Sequence, residues 1–460
     1  MMKAVWIGAL LCGTVGRAAA AQAEPLFPIL EQGKWGLIDS TGRVVLEPRF
    51  DAIYQYRDEG MPASWTPGAE ASARDQIALT MSWSSGPVRS ILIGVQTGGR
   101  WGFVDRSART AIELRFDGLG DLDWRHGRMP VRLGERWGYI DPAGHLAIPA
   151  EYDRAFPFVD GVALARRAGR WLLLDTTGTQ RGEFQSDEVD ESDWPAERPL
   201  LRVKVGLFWG AVDRRGRLVI EARHDGLQTV GAHGLFGFRM KNKWGFADTT
   251  GRVVVPPRFD GAWGFSHGTA IVWLGRKYGV IDTTGVVVLP IEMDRVWRLG
   301  GGRLLFTRRG NGGMIDARGG VLLAPGDSGL AGLHEVEIRA DDSLDQGRLV
   351  LARWRRQGAF LEGFLDTFGR VVIPPQFPAA YKFSEGLAEV FVRGRRGYID
   401  STGALVIAAE FAGAAPFQGG LAMVQQSDGA SYIDVLYIDR SGRTVYSRRY
   451  PGISRMLPRR

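Results

Sequence analysis

The chain has 460 residues, 45% of them hydrophobic and 24% charged, and a formal net charge of +7. That apolar content is too high for a disordered chain, so 63 glycines read as many tight turns. One cysteine and six histidines supply no metal-ligand cluster of recognisable spacing.

The first residues have the pattern of an export signal: Lys3, an apolar stretch from Ala4 to Val15, and Ala21-Gln22-Ala23 as a small-x-small site. Cleavage after Ala23 would remove Lys3 and Arg17, lowering the charge from +7 to +5 (7 − 2), and with them Cys12. The mature chain would then hold no disulfide. Leu11, directly before Cys12, argues against a lipoprotein signal. No later stretch reaches the ~18 apolar residues of a membrane helix. The candidate strands are also too short for an outer-membrane barrel. The expected location is periplasmic or secreted.

From there to about Tyr450 the chain repeats itself. The clearest unit begins Lys243-Trp244-Gly245-Phe246-Ala247-Asp248-Thr249-Thr250-Gly251 and continues to Phe259-Asp260. Its aspartate returns as Asp39, Asp105, Asp141, Asp175, Asp213, Asp248, Asp282, Asp316, Asp366, Asp400 and Asp439. The spacing is near 34 residues (282 − 248 = 34). Four residues before it stand Trp35, Trp101, Trp137, Trp171, Trp209, Trp244 and Tyr278, which we assign to the structural repeat core. Three residues after it stands glycine, with Ala108 out of line. Eleven residues after it a ring recurs, as in Phe50, Phe116, Tyr152, His224 and Phe259. Periodicity of this length marks a repeat architecture.

Each unit reads as three short strands, of the type 387–392, 397–400 and 404–407. The Asp-x-x-Gly loop fits a hairpin: the carboxylate accepts backbone N–H bonds and the glycine takes positive φ. Proline ends the third strand. The glycine after tryptophan implies a close backbone approach, expected here from an aromatic ring of the neighbouring unit. Stacked units would then share columns of rings, because one unit cannot cover its own apolar face.

These residues resemble the WG-repeat family, whose units run aromatic-Gly-Tyr-Ile-Asp, a turn, Val-Ile-Pro, then Tyr-Asp and Phe-x-Glu-Gly-Leu-Ala. Phe383-Ser384-Glu385-Gly386-Leu387-Ala388 matches the last signature, as do the stretches from Phe265 and Phe417. The sequence departs from the pattern at Leu172 and Leu436, which replace the glycine, and at Gly312, Glu362, Arg396 and Val435, which replace the tryptophan. The resemblance implies an interaction module without chemistry of its own.

Two longer gaps, near 52–98 and 324–357, read as insertions, the first long enough for one more unit. Insertions in such arrays fall on one face, often the binding face. The acidic run Asp187–Trp194 reads the same way. Trp65, Trp83, Trp194 and Trp354 lie outside the repeated column and are the candidates for exposed contact.

Catalytic motifs fail on context. Gly326-Asp327-Ser328-Gly329 resembles a serine-protease nucleophile motif, yet it is four residues of good turn composition. His126, His224 and His267 stand in no protease context. The Asp-Thr-Thr-Gly loops at Asp175, Asp248 and Asp282 have one residue too many for an aspartic-protease motif. No Gly-rich phosphate loop precedes a helix. Neither catalysis, a cofactor, a metal nor nucleic acid is expected.

The sequence therefore predicts an all-β array of about eleven three-stranded units over 24–450, solenoid-like, with a closed propeller-like ring as the alternative. Residues 1–23 are the signal and 451–460 a basic tail. The expected role is a protein–protein interaction scaffold at the cell envelope, with glycan or peptidoglycan binding as the alternative.

Overall fold

The computed structural model describes residues 24–54, 87–88, 90–120, 124–194, 200–229, 233–299, 301–325, 333–336, 349–356, 358–427 and 432–451. Strands there form eleven antiparallel sheets, ten of four strands and the first of three. The only helical segments among the described residues are the three-residue turns Arg125–Gly127 and Glu191–Asp193. The sheets, here called blades 1 to 11, span 27–50, 52–116, 118–152, 154–184, 188–224, 226–259, 261–293, 295–323, 333–377, 379–411 and 413–451.

Blade 7 illustrates the unit: Gly261–Ala262, Thr269–Leu274, Lys277–Asp282 and Val287–Met293, hydrogen-bonded in that order. The sequence reading counted three strands per unit. It missed the first, which in seven blades has only two residues, too few to carry an alternating pattern. We number the strands of every blade first to fourth in this way. The three strands of blade 1 correspond to the second, third and fourth.

The array closes on itself, so the solenoid expectation gives way to the ring. Buried apolar side chains fall into eleven clusters, each joining two consecutive blades. An open stack of eleven blades would have ten such interfaces. The eleventh joins Leu421, Met423, Val435 and Tyr437 of blade 11 to Phe27, Ile29 and Ile38 of blade 1. Alternation in the strands makes this possible, since one face packs against the preceding blade and the other against the following one. Phe246 and Val255 of blade 6 thus meet Val272 and Ile281 of blade 7.

Rings interleave at the interfaces, but the tryptophans are not the spine. The residue two places after the tryptophan position, held by Arg396 in blade 10, meets the phenylalanine that precedes the next blade's second strand. Tyr139 faces Phe158 at 5.1 Å, Phe246 faces Phe265 at 4.7 Å, and Tyr398 faces Phe417 at 4.9 Å, all edge to face. This geometry suits ring quadrupoles. Trp35 and Trp171 are buried, whereas Trp101, Trp137, Trp209, Trp244 and Tyr278 are half-buried at the margin of the clusters.

The glycine after tryptophan has a cause other than the one expected. No neighbouring ring lies over it. A Cβ on Gly245 would stand 2.5 Å from the Val255 carbonyl oxygen and 2.7 Å from the Pro257 nitrogen, both in its own blade. Trp244 pairs with Phe259 and Phe246 with Val255, so Gly245 alone opposes Pro256, Pro257 and Arg258. The fourth strand bulges over the glycine, and its prolines blunt an edge that could otherwise recruit another chain. Where Leu172 and Leu436 stand instead, the bulge is absent: they pair regularly with Glu183 and Ser447. Those units are built differently at this point, and their place in the ring is kept.

Each Asp-x-x-Gly turn fits as read. In all eleven, one Asp oxygen accepts the N–H groups two and four residues on, at 2.8–3.1 Å. Ala108 occupies the glycine position with φ of +62°. That left-handed conformation costs alanine about 1–2 kcal/mol. Ala108→Gly is expected to stabilise the protein by about 0.5 kcal/mol after glycine's larger unfolded-state entropy is deducted. A urea titration that moved the midpoint downward would contradict this.

The insertions contribute strands. Ala52–Ile53 and Leu92–Thr97 are the first two strands of blade 2, so among the described residues the gap holds no extra blade. Leu333–Val336 and Val350–Arg356 do the same for blade 9. The expected signal 1–23, the Gly326–Gly329 motif, residues 337–348 of the second gap and residues 452–460 of the expected tail lie outside the described residues.

Candidate functional site

Two of the four tryptophans expected to be exposed are core. Trp194 is 1% exposed; its indole N–H donates to the Pro157 carbonyl at 2.8 Å, and Arg214 lies over the ring. Trp354 is fully buried with Leu305, Met314 and Leu333 between blades 8 and 9. Both stand outside the repeated column yet fill interfaces, between blades 4 and 5 and between blades 8 and 9. Trp65 and Trp83 lie outside the described residues. The acidic run is likewise structural at its end. Asp190 caps the turn Glu191–Asp193, and buried Asp193 pairs with Arg202 at 2.7 Å.

The repeated polar groups are spent inside the ring. Hydrogen bonds from Thr177, Thr250 and Ser441, with those from the turn backbone, hold Asp175, Asp248 and Asp439 down to about 2. Burial opposes the shift at Asp39, Asp213 and Asp282, but the bonds from their turns outweigh it and those groups are lowered too. A carboxylate so held stays ionised and is a poor proton donor. Because the folded values are depressed, the stabilisation is present above the ordinary value of 3.8 and lost as pH falls toward about 2. The urea midpoint should therefore fall steeply between those pH values. Asp248→Asn should flatten that slope, and an unchanged slope would refute the assignment.

A second aspartate, directly after the position of the recurring ring (Met293 in blade 7), ties blades together. Asp51, Asp260 and Asp294 each accept from a lysine, Lys34, Lys243 and Lys277, at 2.5 Å. Each also accepts a backbone N–H from the next blade's tight turn, at Gly98, Gly275 and Arg309. The histidines serve the framework as well. Gly161 N–H donates to His126 Nε2 at 3.1 Å, across an interface. His224 is buried against Phe238, and burial lowers its pKa. His267 Nδ1 lies 3.0 Å from Ser266 Oγ. No cluster of three or more His, Cys, Asp or Glu that could hold a metal occurs among the described residues.

The family model for the WG containing repeat matches six stretches: 35–61, 137–171, 209–244, 244–278, 363–395 and 397–429. The chain is a WG-repeat protein. A search of curated proteins finds no match. Among solved structures, the chain is similar to a crystal structure of the eukaryotic initiation factor, at 12% identity over 94% of this chain and 97% of that one, with a TM-score of 0.40. It is also similar to the extracellular domain of a hybrid two-component system protein from Bacteroides thetaiotaomicron, at 11% identity over 93% of this chain and 63% of that one, TM-score 0.24. PorZ, a surface component of the type-IX secretion system of Porphyromonas gingivalis, has 11% identity over 93% of this chain and 65% of that one, TM-score 0.23. None of these likenesses is close enough to bear on function.

What the WG-repeat framework leaves over is a set of exposed apolar side chains. The fourth strand begins with Val44, Leu146, Leu218, Val253, Val287, Val321 and Leu405, all exposed, five residues after the turn aspartate in seven blades. In blades 5 to 8 the row is unbroken. Sequence reasoning passed over it because these residues alternate in phase as strand starts and look like core. Trp263 and Trp273 were missed too. Trp263 is 46% exposed and Trp273 half-buried, and the periodic column drew attention to neither.

Proposed function

We propose that this protein is an exported, non-catalytic scaffold that binds other proteins at the cell envelope. The observation that carries the reading is the row of exposed aliphatic side chains at the start of the fourth strands, unbroken through Leu218, Val253, Val287 and Val321. These side chains lie outside the eleven buried clusters, and a repeated apolar row across four blades suits an extended protein surface better than a small molecule. The chemistry of the turns supports the absence of catalysis, since their carboxylates are saturated by their own backbone. Export rests on the basic, apolar and small-x-small order of residues 1–23.

A photo-cross-linking residue placed at Val253 or Val287 and activated in intact producing cells should give discrete protein adducts. The same residue at Thr110, the equivalent exposed position of blade 2, should give none. Adducts of equal yield at all three positions, or none at Val253 and Val287, would overturn the proposal.

A further inference from the structure

Blade 7 departs from the four blades before it on one face. In blades 3 to 6 the residue paired with the repeat tryptophan is basic: Arg132, Arg166, Lys204 and Arg239. Three of these cations lie over the indole, at 5.6–5.9 Å. In blade 7 the pair is Trp273 and Tyr278, at 5.7 Å between ring centroids. Trp263 stands beyond Trp273 at 6.1 Å and 67°, making a corner of two indoles. At the far end Arg295 of blade 8 donates to the Tyr278 hydroxyl at 3.1 Å. The row runs Trp263, Trp273, Tyr278, Arg295.

The corner is fixed before anything binds. A Cβ on Gly261 would lie 1.7 Å from Cζ2 of Trp273, so that indole rests directly on the Gly261 backbone. The Trp263 backbone N–H donates to the Ile271 carbonyl at 2.8 Å, which fixes the main chain that carries the ring. The loop after it is pinned from blade 8 by the Arg298 guanidinium, bonded to the carbonyls of Gly264, Ser266 and Thr269. Neither indole N–H has a protein partner among the described residues.

We infer that the Trp263–Trp273–Tyr278 corner is a saccharide-binding site. A pyranose presents apolar C–H groups on its face and hydroxyls at its rim. It would lie on one indole against the wall of the other, its hydroxyls meeting the free indole N–H donors and Arg295. The size of the surface favours a sugar over an extended proline-rich peptide. At the equivalent positions blade 6 has Gln228, Arg239 and Trp244, and blade 8 has Trp297, Thr307 and Gly312, so each neighbour keeps one ring and the run of three is confined to blade 7. This site stands on observations separate from those behind the protein-binding row, and each can fail alone.

The test is affinity electrophoresis of the full chain in gels containing cellulose-type glucan, chitin-type N-acetylated oligomer coupled to the matrix, or polygalacturonate. A decaproline matrix serves as the competing case. At least one saccharide should retard the protein. Trp263→Ala and Trp273→Ala should each weaken that retardation about tenfold, as loss of a central aromatic contact does. Trp263→Phe should keep part of it, and Phe360→Ala, an exposed aromatic on another blade, should change nothing. Far-UV circular dichroism confirms that the variants fold, with Trp263→Phe as the second variant should an alanine change unfold the blade. Retardation by none of the three saccharides, unchanged retardation in folded alanine variants, or binding to decaproline alone would overturn the inference.

Discussion

Gly245→Ala is expected to destabilise the protein by about 3 kcal/mol, well beyond the ~1 kcal/mol or less of gain that replacing glycine in a strand usually brings. The added methyl group would stand 2.5–2.9 Å from backbone atoms of Val255, Pro256 and Pro257, which cannot rotate away as a side chain can. Two prolines also prevent the fourth strand from re-forming a regular ladder opposite the new residue. The comparison that isolates the cause is Leu172, which holds the same place in blade 4 against a fourth strand without that bulge. Leu172→Gly should also destabilise, by about 2–5 kcal/mol, because there the side chain is buried and its loss leaves a cavity. Glycine at one position and leucine at the other are each required by the strand opposite. Urea midpoints for both variants check this; a neutral Gly245→Ala would mean that the bulge is adaptable.

That pair of residues also measures how far the sequence could be read. The aspartate turns were legible, because turn chemistry is local and carbonyl, carboxylate and positive-φ glycine all lie within five residues. The glycine after tryptophan was legible as a close approach, but its partner was not, since Pro256 and Gly245 meet only once the register is set. The choice between stack and ring was equally hidden. It depends on a small rotation between blades that accumulates over the whole chain. Burial of Trp194 and Trp354 depended on irregular neighbours, Arg214 and the Leu333 strand, that no period announces. The aromatic corner of blade 7 was missed for the opposite reason: Trp273 replaces a basic residue, and that substitution has meaning only when the strand paired with it is known.

Phe27→Asp is expected to open the ring. Phe27 is 4% exposed, its ring 5.7 Å from Tyr437, whose hydroxyl donates to the Pro28 carbonyl at 2.7 Å. The same interface carries the Tyr446 hydroxyl on Glu31 and the Tyr450 hydroxyl on the Leu30 carbonyl. It also seats the Gly42 turn against the Val445 carbonyl. Removing a buried phenylalanine costs about 3–5 kcal/mol, and an unpaired carboxylate in its place adds to that. Blade 1 and blade 11 would nevertheless stay tethered through the other ten interfaces. In repeat proteins, stability is roughly the sum of units and nearest-neighbour contacts, so the blades themselves should remain folded. Far-UV circular dichroism should therefore change little while the radius of gyration from small-angle scattering rises. The exposed seam of Leu421, Met423 and Val435 should then drive concentration-dependent dimers. An open stack predicts something different: Phe27 would be an end residue, and its loss would fray one terminal unit without changing the overall dimensions. Scattering that is unchanged, with a melting temperature equal to the wild type, would mean that the eleventh interface does not hold the two ends together.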